Sequence, residues 1–432
     1  MSTIDTERIA IINAFRTPFL KAGTQFKDID ADELGVYPLK ETFLRSNVKP
    51  EEIDEVIVGC CGQPAHAANV GRVISLRAGI PKQVPAITVH RNCASGMEAI
   101  STGAQRLLLG QADIVATVGV ESMSNYPFFY GPKMKSFFER LAKSKTFMQK
   151  FNTLTSFRLS HLKPVIALKL GLTDPICDLI MGNTAENVAK EFNISRQEQD
   201  EFSLNSHLKA LDSIENKRFD DEVIPVQVPK KYEQTISTDN GPRKGQSIEA
   251  LKKLKPFFDR KFGSVTVGSS SQITDGAGAC LLMRESTARA RGIQPLGYLK
   301  AFSYAGCEPS LMGLGPTYAS HRVFKSLNIT MDDIDLVEIN EAFAAQVLGN
   351  VYAFESEAFA KKELNDKPLG KLPLEKLNVN GGAIALGHPL GASGQRIVMT
   401  LLYELHRREL NRGLATLCVG GGQGGAFVLE RV

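Results

Sequence analysis

Short apolar runs recur in both end regions of the chain, at Ile9 to Ala14, Val56 to Gly59, Ile114 to Val118, Leu336 to Ile339 and Ala415 to Val419. Between them lie segments in which apolar residues return every three or four positions. Runs of four to eight residues predict strands and the longer period predicts helices, so the pattern is that of an α/β protein with helix-covered sheets. A further strand is predicted over Ala86 to His90, leading directly into a helix over Met97 to Leu109.

The two end regions also echo one another. Ile53-Asp54-Glu55-Val56-Ile57-Val58 is repeated in kind by Ile334-Asp335-Leu336-Val337-Glu338-Ile339, and Ala94-Ser95-Gly96 by Ala392-Ser393-Gly394. Ala116-Thr117-Val118-Gly119 has a third counterpart in Ala415-Thr416-Leu417-Cys418. Three pairs in the same order predict two related half-domains, residues 1–124 plus 263–290 and residues 291–432. The stretch between, 125–262, is polar, rich in lysine and punctuated by proline and glycine, and is expected to be an inserted loop domain. Within it, Lys133 to Lys169 holds nine Lys/Arg against the single acid Glu139, a local charge of +8, interleaved with Phe, Leu and Met. Such a basic amphipathic segment reads either as a solvated helical hairpin over a substrate mouth or as a surface for a membrane or a partner.

Composition narrows the class. Over 432 residues, 43% are hydrophobic and 23% charged, as expected of a globular protein with several cores. A net charge of +4 is too small at this length to predict nucleic acid as a partner. Seven scattered cysteines without a C-x-x-C pair argue against a disulfide framework or a zinc site and fit a reducing cytoplasm, and no metal is expected. Met1 to Ile12 passes from a short polar lead into an apolar run without the pattern of an export leader, and no stretch reaches the ~18 apolar residues of a membrane span.

Four motifs carry candidate chemistry. Cys93, in Asn92-Cys93-Ala94-Ser95-Gly96, follows a predicted strand and opens a predicted helix, where the backbone dipole would favour a thiolate; the plainer alternative is a buried packing residue. His388 sits among five glycines between Gly381 and Gly394, with Pro389 stiffening the turn, and could act as a base near neutral pH or merely cap that turn. Cys418 ends an apolar run and precedes Gly420-Gly421-Gly422-Gln423-Gly424-Gly425, whose backbone N–H groups could face an oxyanion. A phosphate-cradling loop is the rival there, but it lacks the P-loop lysine. Asn340, at the end of the run from Leu336, could hold a water or a carbonyl oxygen, or simply start a helix.

Together these motifs resemble the thiolase family along nearly the whole chain, from Arg16-Thr17-Pro18-Phe19 through Met181-Gly182-Asn183-Thr184-Ala185-Glu186-Asn187 and Ser271 to Gly276, and on to the terminal glycine cluster. The resemblance implies a five-layer αβαβα fold made of two half-domains, a loop domain over the active site, and a homodimer or tetramer. It implies that Cys93 is the acylated nucleophile, His388 its base and Cys418 a second acid/base. It further implies one oxyanion site at His388 with a water held by Asn340, and another at the N–H groups of Cys93 and Gly420. Coenzyme A is implied as co-substrate, with no permanently bound cofactor. Its binding residues by resemblance are Ser270, Ser271, Met181, Phe343 and, more loosely, Arg243.

Ile180 replaces a histidine found in many short-chain members, and the basic insert is longer than theirs. The chain thus looks more like the β subunits of fatty-acid oxidation complexes. That implies degradative cleavage of medium- or long-chain 3-ketoacyl-CoA and docking to an α subunit with hydratase and dehydrogenase activities. The alternatives are an acetoacetyl-CoA thiolase (acetyl-CoA C-acetyltransferase), a decarboxylating synthase on the same fold, which would have no use for Cys418, and a non-catalytic acyl-CoA or lipid-binding protein.

Overall fold

A computed structural model describes residues 7–229 and 232–432; the polar lead before residue 7 lies outside them. The main sheet's long strands are, in chain order, β1 (Ile9–Arg16), β2 (Glu55–Gly59), β3 (Ala86–Val89), β4 (Ile114–Ser122), β5 (Thr274–Arg284), β6 (Gly297–Gly306), β7 (Leu336–Ile339), β8 (Arg412–Val419) and β9 (Gln423–Glu430). A tenth, Leu20–Lys21, pairs with β5. Six of the nine match predicted runs. β5 and β9 open with glycine-rich stretches, which read locally as loop and are held extended only by neighbours on both sides.

The strand order β7-β8-β9-β6-β1-β5-β4-β2-β3 has an internal symmetry. Outward from the β1/β6 junction, where Ile9 to Ile11 pair antiparallel with Leu299 to Gly297, each half places its first strand, then its last, its penultimate and its second. In the second half an isolated bridge, Val337 to Leu377, stands where β3 stands in the first. Matching aspartates fix the register. Asp54 accepts from the N–H groups of Asp113 (2.7 Å) and Ile114 (3.0 Å), and Asp335 from those of Asn411 and Arg412 (both 2.9 Å). Ile114 therefore corresponds to Arg412 and Ala116 to Leu414, so the third sequence echo, which aligned Ala116 with Ala415, is out by one residue.

Alternate residues of these strands serve different cores, which makes the layers. Val56 and Val58 pack with Leu39 and Ile74 beneath an outer helical layer, while Ile57 turns inward to Met97, Ile100, Ile397 and Leu401. In the other half, Leu336 faces the same interior, and Val337 and Ile339 pack outward on Val323, Phe324 and Val347. The protein is thus an αβαβα stack whose middle layer is two helices, Ser95–Leu108 and Leu390–Arg407, one from each half. The insert contributes helices Pro132–Lys143, Phe147–Thr155, Met181–Glu191 and Arg196–Glu215 with two short ribbons.

The starts of the two central helices touch through glycine. A Cβ on Gly394 would lie 2.4 Å from the Met97 nitrogen, and one on Gly96 would lie 2.7 Å from the Gly391 carbonyl oxygen. Backbone, not a flexible side chain, fills the space, so Gly394→Ala must push the helices apart. It is expected to destabilise the fold by ~1–3 kcal/mol, read as a lower midpoint in urea unfolding.

Candidate active site

Because both central helices begin at that contact, the residues just before them are brought together. Cys93 precedes one helix and His388 the other. Leu390, two residues after His388, lines the same pocket as Cys93. Cys418, near the end of β8, is close enough to Cys93 that an ionised Cys93 would oppose its ionisation. The two sulfurs are therefore neighbours, and the loop that carries His388 reaches the pocket beside Cys93.

Cys93 is not the thiolate that its position before a helix predicts. Burial raises its pKa to about 11, Glu121 adds to the rise, and the N–H groups of Gly420 and of Cys93 itself offset only part of it. Desolvation of the anion outweighs the dipole because protein packs around the half-buried sulfur on all sides but the pocket. Cys418 is pushed up for the same first reason, with the Cys93 charge adding to it. Burial also lowers His388, to about 3, with the Arg396 charge contributing, so the imidazole is neutral at physiological pH.

Its tautomer follows from its partners. Ser393 Oγ lies 2.6 Å from His388 Nδ1 and 3.1 Å from the Pro389 carbonyl, and with its proton assigned to that carbonyl it accepts from Nδ1–H, the tautomer that also suits a donor amide beside Nε2. Nε2 is then left with a lone pair, facing Asn340 Nδ2 at 3.4 Å. Asn340 Oδ1 is buried with no hydrogen-bond partner among the described residues, an arrangement characteristic of functional positions. The residue does not start a helix: its N–H donates to Thr416, and the following helix begins at Ala344.

Several supporting residues carry no obvious sequence signal. Glu121 accepts from the N–H groups of Gly62 (2.7 Å), Cys61 (3.1 Å) and Gly391 (2.9 Å) and from the Tyr126 hydroxyl (2.8 Å), tying the nucleophile's half to the loop after His388. Its only mark in the sequence is being an acid at the end of an apolar run. Asn92, with φ of 44°, donates to the Gly420 carbonyl at 2.7 Å and so fixes the turn whose N–H faces Cys93. That turn is shorter than the glycine run suggests: Gly421 and Gly422 have positive φ, whereas Gly424 and Gly425 lie within β9. Gln272 accepts the His388 N–H (3.1 Å) and donates to the carbonyls of Gly241, Ile384 and Ala385, bracing the histidine loop.

A pocket of about 290 Å³ opens beside Cys93, lined among others by Cys61, His90, Tyr126, Phe129, Leu168, Leu172 and Met181. Tyr126, Phe129, Leu168 and Leu172 come from the insert, which therefore forms one wall. Of the residues matched to a coenzyme A site, only Met181 is in this lining. Ser270, Ser271 and Phe343 form a second group, in which Ser271 N–H donates to Ala342 (2.9 Å) and Ser270 bridges to Phe343. Arg243 is exposed, its N–H on His207 Nδ1 at 3.2 Å, and does not reach the sulfurs' pocket.

The thiolase N-terminal domain model matches residues 9–286 and the thiolase C-terminal domain model residues 293–431. The chain belongs to the thiolase family. An acetyl-CoA acetyltransferase of Syntrophomonas wolfei is 40% identical over 429 residues, covering 98% of this chain and 99% of the relative. The crystal structure of the Bacillus anthracis acetyl-CoA acetyltransferase superposes with a TM-score of 0.86 at 38% identity, covering all of both chains. Human mitochondrial 3-ketoacyl-CoA thiolase in complex with CoA superposes with a TM-score of 0.84 at 34% identity, over 99% of this chain and 98% of that one. This thiolase is an acyltransferase. Among the described residues no helix is long and apolar enough to cross a membrane.

The raised thiol and lowered imidazole predict that the free enzyme holds a neutral Cys93–His388 pair. Iodoacetamide modification of Cys93, followed by peptide mass mapping, is expected to accelerate about tenfold per pH unit up to and beyond ~8.5, the ordinary cysteine pKa. A rate already level near neutrality would show a thiolate–imidazolium pair instead.

Proposed function

We propose that this thiolase cleaves medium- or long-chain 3-ketoacyl-CoA with coenzyme A, giving acetyl-CoA and a shortened acyl-CoA, in fatty-acid β-oxidation. The supporting observation is the pocket beside Cys93. A water takes about 30 Å³ of liquid, so about 290 Å³ holds on the order of ten water-sized units, far more than an acetyl group needs. Its largely apolar insert wall suits an alkyl chain.

In this reading the Cys93 proton passes to His388 Nε2 as the sulfur attacks the C3 carbonyl, since neither group ionises beforehand. The developing oxyanion is held by the N–H groups of Cys93 and Gly420. The C2–C3 bond then breaks, and the acetyl-CoA enolate takes a proton from Cys418. Its thioester oxygen is stabilised by His388 with a water on Asn340, whose unpartnered Oδ1 suits such a role. A second coenzyme A thiol then loses its proton to the Cys418 thiolate and attacks the acyl carbonyl, and Cys93 leaves, regaining its proton from His388 Nε2. Ser270, Ser271, Met181 and Phe343 are proposed to line the pantetheine; Arg243 is proposed for the nucleotide end, remote from the sulfurs. The enzyme works as a homodimer or tetramer in the cytoplasm, docked to a hydratase/dehydrogenase α subunit.

The second reading, an acetyl-CoA C-acetyltransferase acting on acetoacetyl-CoA, is favoured by the names of the relatives above.

Thiolysis across a chain-length series separates the two. Each buried methylene contributes ~0.8 kcal/mol, about fourfold, so kcat/KM for 3-ketodecanoyl-CoA is expected to exceed that for acetoacetyl-CoA by ~10-fold or more. Acetoacetyl-CoA far ahead would establish the second reading. Cys93→Ser is expected to lower kcat by at least ~10³-fold and Cys418→Ala by ~10²–10⁴-fold, with both proteins folded by circular dichroism.

A further inference from the structure

The helix Phe147–Thr155 is firmly started: Thr146 Oγ1 accepts from the Gln149 N–H (3.2 Å) and the Gln149 side chain reaches back to the Thr146 N–H (3.3 Å). None of its residues is buried. Phe147, Met148, Phe151 and Leu154 fall at the spacing of one helical face, and Phe147 is 83% exposed. Phe138 and Leu159, in the neighbouring helices of the insert, are exposed as well, Leu159 at 82%. A capped amphipathic helix with its apolar stripe in water is a surface that something covers.

The charges around it identify what. All nine Lys/Arg from Lys133 to Lys169 are exposed, and among the described residues only Lys135 has a carboxylate partner, Glu139 at 3.8 Å. Protein–protein interfaces are depleted in lysine, whereas helices that lie in a lipid surface combine bulky apolar residues with lysine and arginine. We infer that the insert, centred on the Phe147–Thr155 helix, docks this thiolase onto an anionic lipid surface, its aromatic face entering the acyl boundary and its lysines contacting phosphate headgroups. The strand Phe128–Tyr130 lies between this surface and the site: all three of its residues are exposed, and Phe129 also lines the pocket beside Cys93. The proposal is independent of the chain-length reading.

The test is co-sedimentation of the whole enzyme with vesicles of phosphatidylcholine alone or with phosphatidylglycerol added, at low and high salt. Binding is expected only with phosphatidylglycerol and is expected to fall at high salt. A lysine near such a surface is worth ~1 kcal/mol, so the double variant Lys143→Glu, Lys150→Glu is expected to bind ~25-fold more weakly or worse. Phe147→Ser with Phe151→Ser is expected to lose ~10-fold or more. Thiolysis of soluble acetoacetyl-CoA, measured in parallel, is expected to stay within about twofold in both variants, since none of the four positions lines the pocket. Equal binding to neutral vesicles, or variants that bind like the parent, would overturn the proposal. So would a parent enzyme that binds neither vesicle while the phenylalanine variant changes its mass by light scattering, which would make the face a protein interface.

Discussion

Everything in this active site depends on how closely two helices can start beside each other. The backbone at Gly96 touches that at Gly391, and Gly394 touches Met97, at distances that no side chain would permit. Because Cys93 and His388 each sit just ahead of one of those helices, the glycine contact brings the segments that carry them together. The chain duplicated a half-domain, then used the two copies unequally. One carries Cys93, the other carries His388 and Cys418, which the proposed mechanism uses as nucleophile, base and second acid/base.

The chemistry is set by dryness more than by dipoles. A sulfur in front of a helix would gain from the partial positive charge there, yet burial costs its anion more, and the same burial strips the proton from His388. Both groups are therefore uncharged near neutral pH. Ser393 settles which ring nitrogen is free, and Asn340 faces that nitrogen from the tip of β7. Glu121 is the one buried acid near the thiol; four donors hold it, and its charge further discourages a thiolate at rest.

Much of this was legible in the residues. The apolar runs mark six of nine strands, the echoes mark the duplication, His388 and Cys418 stand out through their glycine-rich surroundings, and Cys93 and Asn340 through their places at the ends of apolar runs. What was not legible depends on contacts between distant parts of the chain. β5 and β9 look like loops because their glycines are there for close packing, as where Gly424 meets the Gly315 backbone, rather than for turning. Ser393, Gln272 and Glu121 are ordinary polar residues until the fold supplies their partners. Local similarity aligned Ala116 with Ala415, and only the paired aspartates reveal the true register.

The hydrogen bond from Gly391 N–H to Glu121 spans 270 residues of sequence. At ~5–20 residues per second, a ribosome takes on the order of tens of seconds to cover that interval. Until then the nascent first half has a carboxylate short of a donor and an apolar helix face awaiting its cover. The first half therefore completes its packing only after the second half has been translated.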